Sequence, residues 1–426
     1  MRFCATLLLS LLYISSAFAQ IDTTQKIIPG RKNSKAQQKK SYVILISADG
    51  FRYDYARKYH ADHLLTLSNH GVKAPYMLPA FPSTTFPNHY TLITGLYPSH
   101  TGLVANTFYD ANTKSSFYYK SKNGTLDSAW YNGGTPLWVL AEQQHMLSAT
   151  HYWVGSEAPI KGVYPTYSYP YNEKIGIHDR IQTIVNWLKL PPAQRPHFIT
   201  FYLPQVDHEG HKYGPDSPEE ERSVKFIDSA VYELTKAVKT TGLKVNFIFV
   251  SDHGMIKADT AHPIPLPKTI DTSKFIISGD ALLVELYAKN PTDIQSTYTG
   301  LQKEASPDYS PYLKTNVPPK LHYGAKDDHF YRIGDILLSA KAPKVFNLYG
   351  THSSIGVHGY DATTVKEMRA TFYAWGPAFK HNLTIQPFEN VEVFPLIARI
   401  LGLKYAPHID GTGALPQRVL LKTIAK

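Results

Sequence analysis

Four short groups in this 426-residue chain carry side chains suited to holding metal ions. Asp207 and His211 stand four apart, a spacing that puts two side chains on one face of a helix. Asp252 and His253 are adjacent, and successive side chains at a strand end diverge, as ligands of two neighbouring ions would. His358 lies in Gly356-Val357-His358-Gly359-Tyr360, where glycine lets backbone approach closely. Asp49 precedes Gly50 and supplies a further acid. Carboxylates and imidazoles without a thiolate suit Zn²⁺ with nitrogen and oxygen ligands and a position left for substrate. Two such ions about 3.5–4 Å apart clamp the attacking and leaving oxygens of a displacement at phosphorus. A nucleophile is also at hand. Pro82-Ser83-Thr84-Thr85-Phe86-Pro87-Asn88-His89-Tyr90 reads as a loop entering a helix. A threonine there serves as an N-cap or, beside a metal, as an activated hydroxyl. The residues alone leave both roles open.

These groups need elements to position them. Residues 41–48 form a continuous apolar run that ends at Asp49. The pattern returns at 197–203, which leads to Asp207, and at 245–250, which leads to Asp252. Such runs read as buried parallel strands, and open α/β sheets bind ligands beyond the carboxyl ends of their strands. Helices are expected at 86–95, 177–189, 217–239 and 390–402, and further strands at 281–287, 334–339 and 369–375. In 217–239, Pro218 and three successive glutamates mark the start. The alternation predicts an α/β fold with a largely parallel sheet flanked by helices. Residues 255–345 are rich in Pro, Lys and Tyr and read as an insertion or cap.

The formal net charge of +10 invites a nucleic-acid reading, but its distribution argues against one. Residues 1–19 contribute +1 and read as a secretory signal peptide cleaved after Ala17-Phe18-Ala19. Residues 20–40 hold six basic residues against one acid and read as a flexible basic arm. Residues 41–426 carry only +4. Cys4, the single cysteine, falls in the signal, so the mature chain forms no disulfide. The expectation is an exported enzyme, periplasmic or secreted and of bacterial type, with no membrane anchor after cleavage.

Several strings resemble the nucleotide pyrophosphatase/phosphodiesterase family of the alkaline phosphatase superfamily. They are Ser47-Ala48-Asp49-Gly50-Phe51-Arg52, Thr85-Phe86-Pro87-Asn88-His89-Tyr90 and Thr94-Gly95-Leu96-Tyr97-Pro98. Asp207-x-x-x-His211, Ser251-Asp252-His253-Gly254-Met255 and His358-Gly359-Tyr360 follow in the family's order, so the likeness spans roughly 41–405. The resemblance implies an alkaline-phosphatase-like core with two zinc ions. One would be held by Asp207, His211 and His358, the other by Asp49, Thr85, Asp252 and His253. Thr85, which precedes Phe-Pro-Asn, would be the nucleophile and form a phospho-threonine intermediate. Asn106 matches an asparagine that donates to a non-bridging phosphate oxygen. Phe86 would lie beside the organic group of the substrate. Trp153-Val154-Gly155-Ser156 is similar to the family's Trp-Pro-Gly-Ser segment, with valine in place of proline.

A neutral amide at Asn106 suits a diester, and no arginine is placed by motif at the nucleophile; Arg52 reads as packing or a salt bridge. A phosphomonoesterase of the same superfamily would bring a guanidinium there. A sulfatase would need a Cys or Ser in a Pro- and Arg-containing setting that is missing here. The expected substrate is a small phosphodiester or phosphoanhydride, a nucleotide stacked between Phe86 and Tyr171 and released as the 5'-monophosphate. Action on choline or lysophospholipid esters, or as a phosphomonoesterase of the same superfamily, is the alternative.

Overall fold

The three apolar runs fold as neighbouring parallel strands, which need helices over both faces to bury them. A computed structural model describes residues 24–304, 306–348, 354–405 and 408–425. Its central sheet contains β1 (Lys26–Ile27), β2 (Tyr42–Ala48), β3 (Val72–Lys73), β4 (Ser148–His151), β5 (Tyr167–Tyr169), β6 (Phe198–Leu203), β7 (Val245–Val250), β8 (Phe372–Trp375) and β9 (Leu383–Thr384). The spatial order is β1-β5-β4-β6-β2-β7-β8-β3-β9. The five strands from β5 to β7 run parallel. Antiparallel β1 flanks them on one side and β8 on the other.

All seven residues of β2 are buried, because each face of the sheet is covered. Val43 and Leu45 face a layer containing α2 (Thr85–Thr94) and α7 (Val393–Leu401). Ile44 and Ile46 face α1 (Asp62–His70), α4 (Ile177–Lys189) and α6 (Pro218–Lys239). The α6 start is as expected: Ser217 Oγ accepts from the Glu220 N–H at 3.1 Å, with Pro218 in the first turn. A shorter helix, α5 (Gln205–Tyr213), follows β6 directly. Helix α3 (Leu137–Gln143) packs on the Val43 face. Residues 275–340, within the stretch read as a cap, form a second antiparallel sheet. Its strands lie in the order Phe275–Gly279, Leu283–Ala288, Ile336–Ala340, Tyr309–Leu313. It has its own core, with Val284, Leu286, Ile336 and Leu338 packed against Leu301 of the helix Thr292–Glu304.

The basic segment departs from expectation. Over its described residues, 24–40 is part of the fold and not a flexible arm. Lys26 and Ile27 pair with Ser168 and Tyr167 of β5. Arg31 meets Glu142 at 3.3 Å. Buried Asn33 donates to the carbonyls of Pro192 (2.9 Å) and Arg195 (2.7 Å) and accepts from the Leu147 N–H (2.7 Å). Backbone pairing and one buried amide dock the segment while its lysines stay in water, so composition hides the docking. Replacing Asn33 with alanine strands these three groups and is expected to lower the unfolding free energy by about 2–4 kcal/mol in urea titrations. A loss below about half a kcal/mol would return the segment to the role of an arm.

The segment read as a signal peptide, residues 1–19, lies outside the described residues. Among the described residues, no helix is long and apolar enough to cross a membrane.

Candidate active site

Strand register brings the three acids together. Ala48 pairs with Leu203 and Ser47 with Val250, so β6, β2 and β7 end at the same edge of the sheet. Asp49 leaves β2 there, Asp252 leaves β7, and Asp207 sits in the first turn of α5. Gly50 is essential to this convergence. Its φ is +67°, and a Cβ would stand 3.0 Å from Asp207 Cα. Its N–H donates to Asp252 Oδ1 at 3.1 Å.

The histidines complete two adjoining groups. Asp207 and His211 share a face of α5, with Oδ1 and Nε2 3.4 Å apart, and His358 Nε2 lies 3.5 Å from the same oxygen. His253 Nε2 lies 2.9 Å from Asp252 Oδ2 and 3.4 Å from Asp49 Oδ1. The rings of His253 and His358 stack at 3.5 Å. Donor atoms of Asp207, His211 and His358 lie within 4.8 Å of one another, as do those of Asp49, Asp207 and His253. Asp207 belongs to both, and Asp49 also joins a third such group with His89 and Asp252.

Hydrogen bonding on the far side of each ring shows what the near side is for. Nδ1 of His211 donates to the Gly356 carbonyl, that of His358 to Ser83 and that of His253 to Gly254, at 2.8, 3.0 and 2.9 Å. A carbonyl only accepts, so each Nδ1 carries a proton, and in the neutral ring Nε2 is the atom left with a lone pair for a cation. The Nε2 atoms of His211 and His358 nevertheless face each other at 3.1 Å. Asp49 Oδ1, Asp207 Oδ1 and Asp252 Oδ2 are buried without a hydrogen-bond partner. Lone pairs and unpartnered anions converging on one space fit cations. Burial, then the charges of Asp252 and Asp207, push the Asp49 carboxyl well above its usual range. Burial also works against the Asp252 carboxylate, yet His253 and His89 hold it well below that range. Burial, and then His253, push His358 down to about 3, which keeps its imidazole neutral.

Thr85 opens α2, but its hydroxyl does not cap the helix: Oγ1 lies 3.1 Å from His253 Nε2. Asn88 braces the loop before it, donating to the carbonyls of Pro82 and Thr84, both at 2.9 Å. Asn106 Oδ1 accepts from the Phe86 N–H at 2.9 Å, which turns the amide so that its NH₂ side is available to a ligand. Phe86 is half-buried, 5.4 Å ring to ring from Tyr119. Tyr171 is exposed and stands 6.0 Å from the Tyr202 ring. The two residues thus belong to separate aromatic clusters, one beside Thr85 and one beside Asp49. Arg52 is occupied by Asp54 at 2.6 Å.

A model of type I phosphodiesterases/nucleotide pyrophosphatases matches residues 43–361. The chain belongs to this family. It is 34% identical to a pyrophosphatase/phosphodiesterase of Schizosaccharomyces pombe over 92% of this chain and 83% of the yeast protein. Human bis(5'-adenosyl)-triphosphatase ENPP4 is 33% identical, with 91% and 83% covered. Against mouse ectonucleotide pyrophosphatase/phosphodiesterase family member 1 the identity is 34%, but this chain spans only 42% of that protein. Murine ectonucleotide pyrophosphatase/phosphodiesterase 5 superposes with a TM-score of 0.82 at 28% identity, covering 89% of this chain and 100% of the other. An inactive threonine-to-alanine form of that protein was solved in complex with AMP.

Two further residues of this phosphodiesterase-family centre were not singled out from sequence. His89 is fully buried, with Nδ1 3.0 Å from the Thr85 carbonyl and 3.3 Å from Asp252 Oδ2. Ser47 Oγ meets its Nε2 at 2.9 Å, and Trp153 Nε1 donates to its carbonyl at 3.1 Å. It therefore joins the turn bearing Thr85 to Asp252, and the Trp153 segment supports it from behind. The second is Tyr202, whose hydroxyl donates to Asp49 Oδ2. His89 follows Thr85 by four on one helix, a same-face spacing visible in the sequence. Tyr202 gave no comparable signal, since its reach to Asp49 depends on the pairing of β6 with β2.

Proposed function

We propose that this hydrolase is a two-zinc nucleotide pyrophosphatase/phosphodiesterase that acts through a covalent ester on Thr85. One zinc would be held by Asp207, His211 and His358, and the other by Asp49, Thr85, Asp252 and His253. Bound there, the ions would supply positive charge beside the Thr85 oxygen and the reacting phosphate. The observation carrying this reading is the Thr85 hydroxyl at the N-terminus of α2, 3.1 Å from His253 Nε2 and free of any capping role.

Thr85 Oγ1 attacks phosphorus, the bond to the leaving oxygen breaks, and the nucleotide stays esterified to the threonine. Water then attacks the same phosphorus, releasing the nucleoside 5'-monophosphate and restoring the hydroxyl. Asn106 donates to a non-bridging oxygen where charge spreads in the transition state. Its neutrality suits the single charge of a diester. Phe86, and Tyr171 across the site, offer aromatic faces to a nucleobase. The AMP complex of the related structure and the bis(5'-adenosyl)-triphosphatase name of ENPP4 support a nucleotide as substrate. Export is the location we assign, on the apolar leader sequence. A panel of ATP, diadenosine triphosphate, UDP-glucose and glycerophosphocholine tests the substrate class. Turnover is expected for the first three, with the nucleoside 5'-monophosphate as product; turnover of the choline ester alone overturns the assignment.

A further inference from the structure

A buried carboxyl in the second sheet lies among more acceptors than donors. Glu285, on the strand Leu283–Ala288, is fully buried. Among the described residues no cation pairs with it: Arg332 binds Asp110 and Lys314 binds Asp328. The Tyr287 hydroxyl lies 2.7 Å from Glu285 Oε2 and 2.8 Å from the Arg332 carbonyl. The Tyr323 hydroxyl lies 3.1 Å from both Glu285 Oε1 and the Val104 carbonyl. A carbonyl only accepts, so two hydroxyl protons face four oxygens when the acid is ionised. A proton on Glu285 adds a third. The carboxyl then donates to the Tyr287 oxygen, whose own proton is free for Arg332. Burial pushes Glu285 up to about 7, against the two tyrosine bonds, in agreement with that count.

This network grips the chain on either side of Asn106. Tyr323 reaches the Val104 carbonyl, two residues before it. The Tyr287 oxygen accepts from the Tyr109 N–H, three residues after it, at 3.4 Å. We propose that Glu285 is a positioning residue for Asn106, acting through Tyr323 and Tyr287 to set where the Asn106 amide meets the reacting phosphate. This rests on the role proposed for Asn106 above. The Phe86 N–H fixes only the oxygen end of that amide, while the backbone on both sides is tied to Glu285. A donor aimed at charge in the transition state loses its effect when misplaced by about 1 Å. The second sheet thus has a use in the reaction without touching the substrate.

The test measures kcat and KM of the zinc-loaded enzyme for p-nitrophenyl thymidine 5'-monophosphate in Tyr323→Phe, Glu285→Leu, Glu285→Gln and Asn106→Ala. Tyr323→Phe and Glu285→Leu should lower kcat about tenfold and change KM less than about twofold, because Asn106 acts where charge develops in the transition state. Glu285→Gln keeps a donor and an acceptor in the same shape without a charge, and should stay within about threefold of wild type. Asn106→Ala should itself fall about 10²-fold. Added to it, Tyr323→Phe should cost less than about twofold more. Three results each overturn the role of Glu285 alone: wild-type kcat in Tyr323→Phe, a tenfold loss in Glu285→Gln, or a Tyr323→Phe loss undiminished beside Asn106→Ala. Should Glu285→Leu not fold, the other variants decide. Wild-type kcat in Asn106→Ala, or a wild type inactive on the ester, overturns the reading of the site and this proposal with it.

Discussion

Thr85→Ala is expected to lower kcat/KM for nucleotide diesters by at least about 10⁴-fold, the scale on which removing a nucleophile acts. The zinc content and fold should remain. Thr85 is half-buried at the start of α2, and its hydroxyl caps no helix. Six further residues would still hold the two ions. Thr85→Ser separates chemistry from position, because serine keeps the oxygen at the helix N-terminus and should retain measurable turnover. Wild-type rates in Thr85→Ala would mean that water attacks phosphorus directly and that the threonine only lines the site.

Asp207→Asn should cost about 10³-fold or more in kcat/KM, and unlike Thr85→Ala it should also release metal. The aspartate oxygen Oδ1 is buried, has no hydrogen-bond partner and lies 3.4 and 3.5 Å from the Nε2 atoms of His211 and His358. An amide keeps its shape but not its charge, so the lone pairs of His211 and His358, 3.1 Å apart, lose the anion that shares their cation. Zinc per chain, measured by elemental analysis after dialysis, should drop below two in the variant and stay at two in the wild type. Chelation of the wild type should abolish activity, and zinc should restore it. Bound ligand at about a thousand times its dissociation constant adds about 4 kcal/mol to stability, so the chelated protein should also melt earlier. Full zinc occupancy in Asp207→Asn would place the ions elsewhere.

The legible parts of this molecule were those in which one residue type admits one physical use. Parallel strands buried on both faces leave unbroken apolar runs, and the acid after each run marked the edge where Asp49, Asp207 and Asp252 meet. Asp207 and His211 were readable as a pair because a helix repeats at that spacing. The basic segment misled, since lysines that reach into water look alike on a free arm and on a docked strand; the docking depends on Asn33 and on backbone groups that leave no pattern. Tyr202 was hidden for a similar reason, because its partner is fixed by register between strands distant in sequence.

The covalent step proposed on Thr85 would leave a direct signature in the stereochemistry at phosphorus. A nucleotide diester made chiral at the reacting phosphorus with sulfur is hydrolysed in water labelled with heavy oxygen, and the configuration of the product is read. Attack by Thr85 followed by attack by water inverts the centre twice, so net retention is expected. Net inversion would show a single displacement by water and contradict the threonine ester.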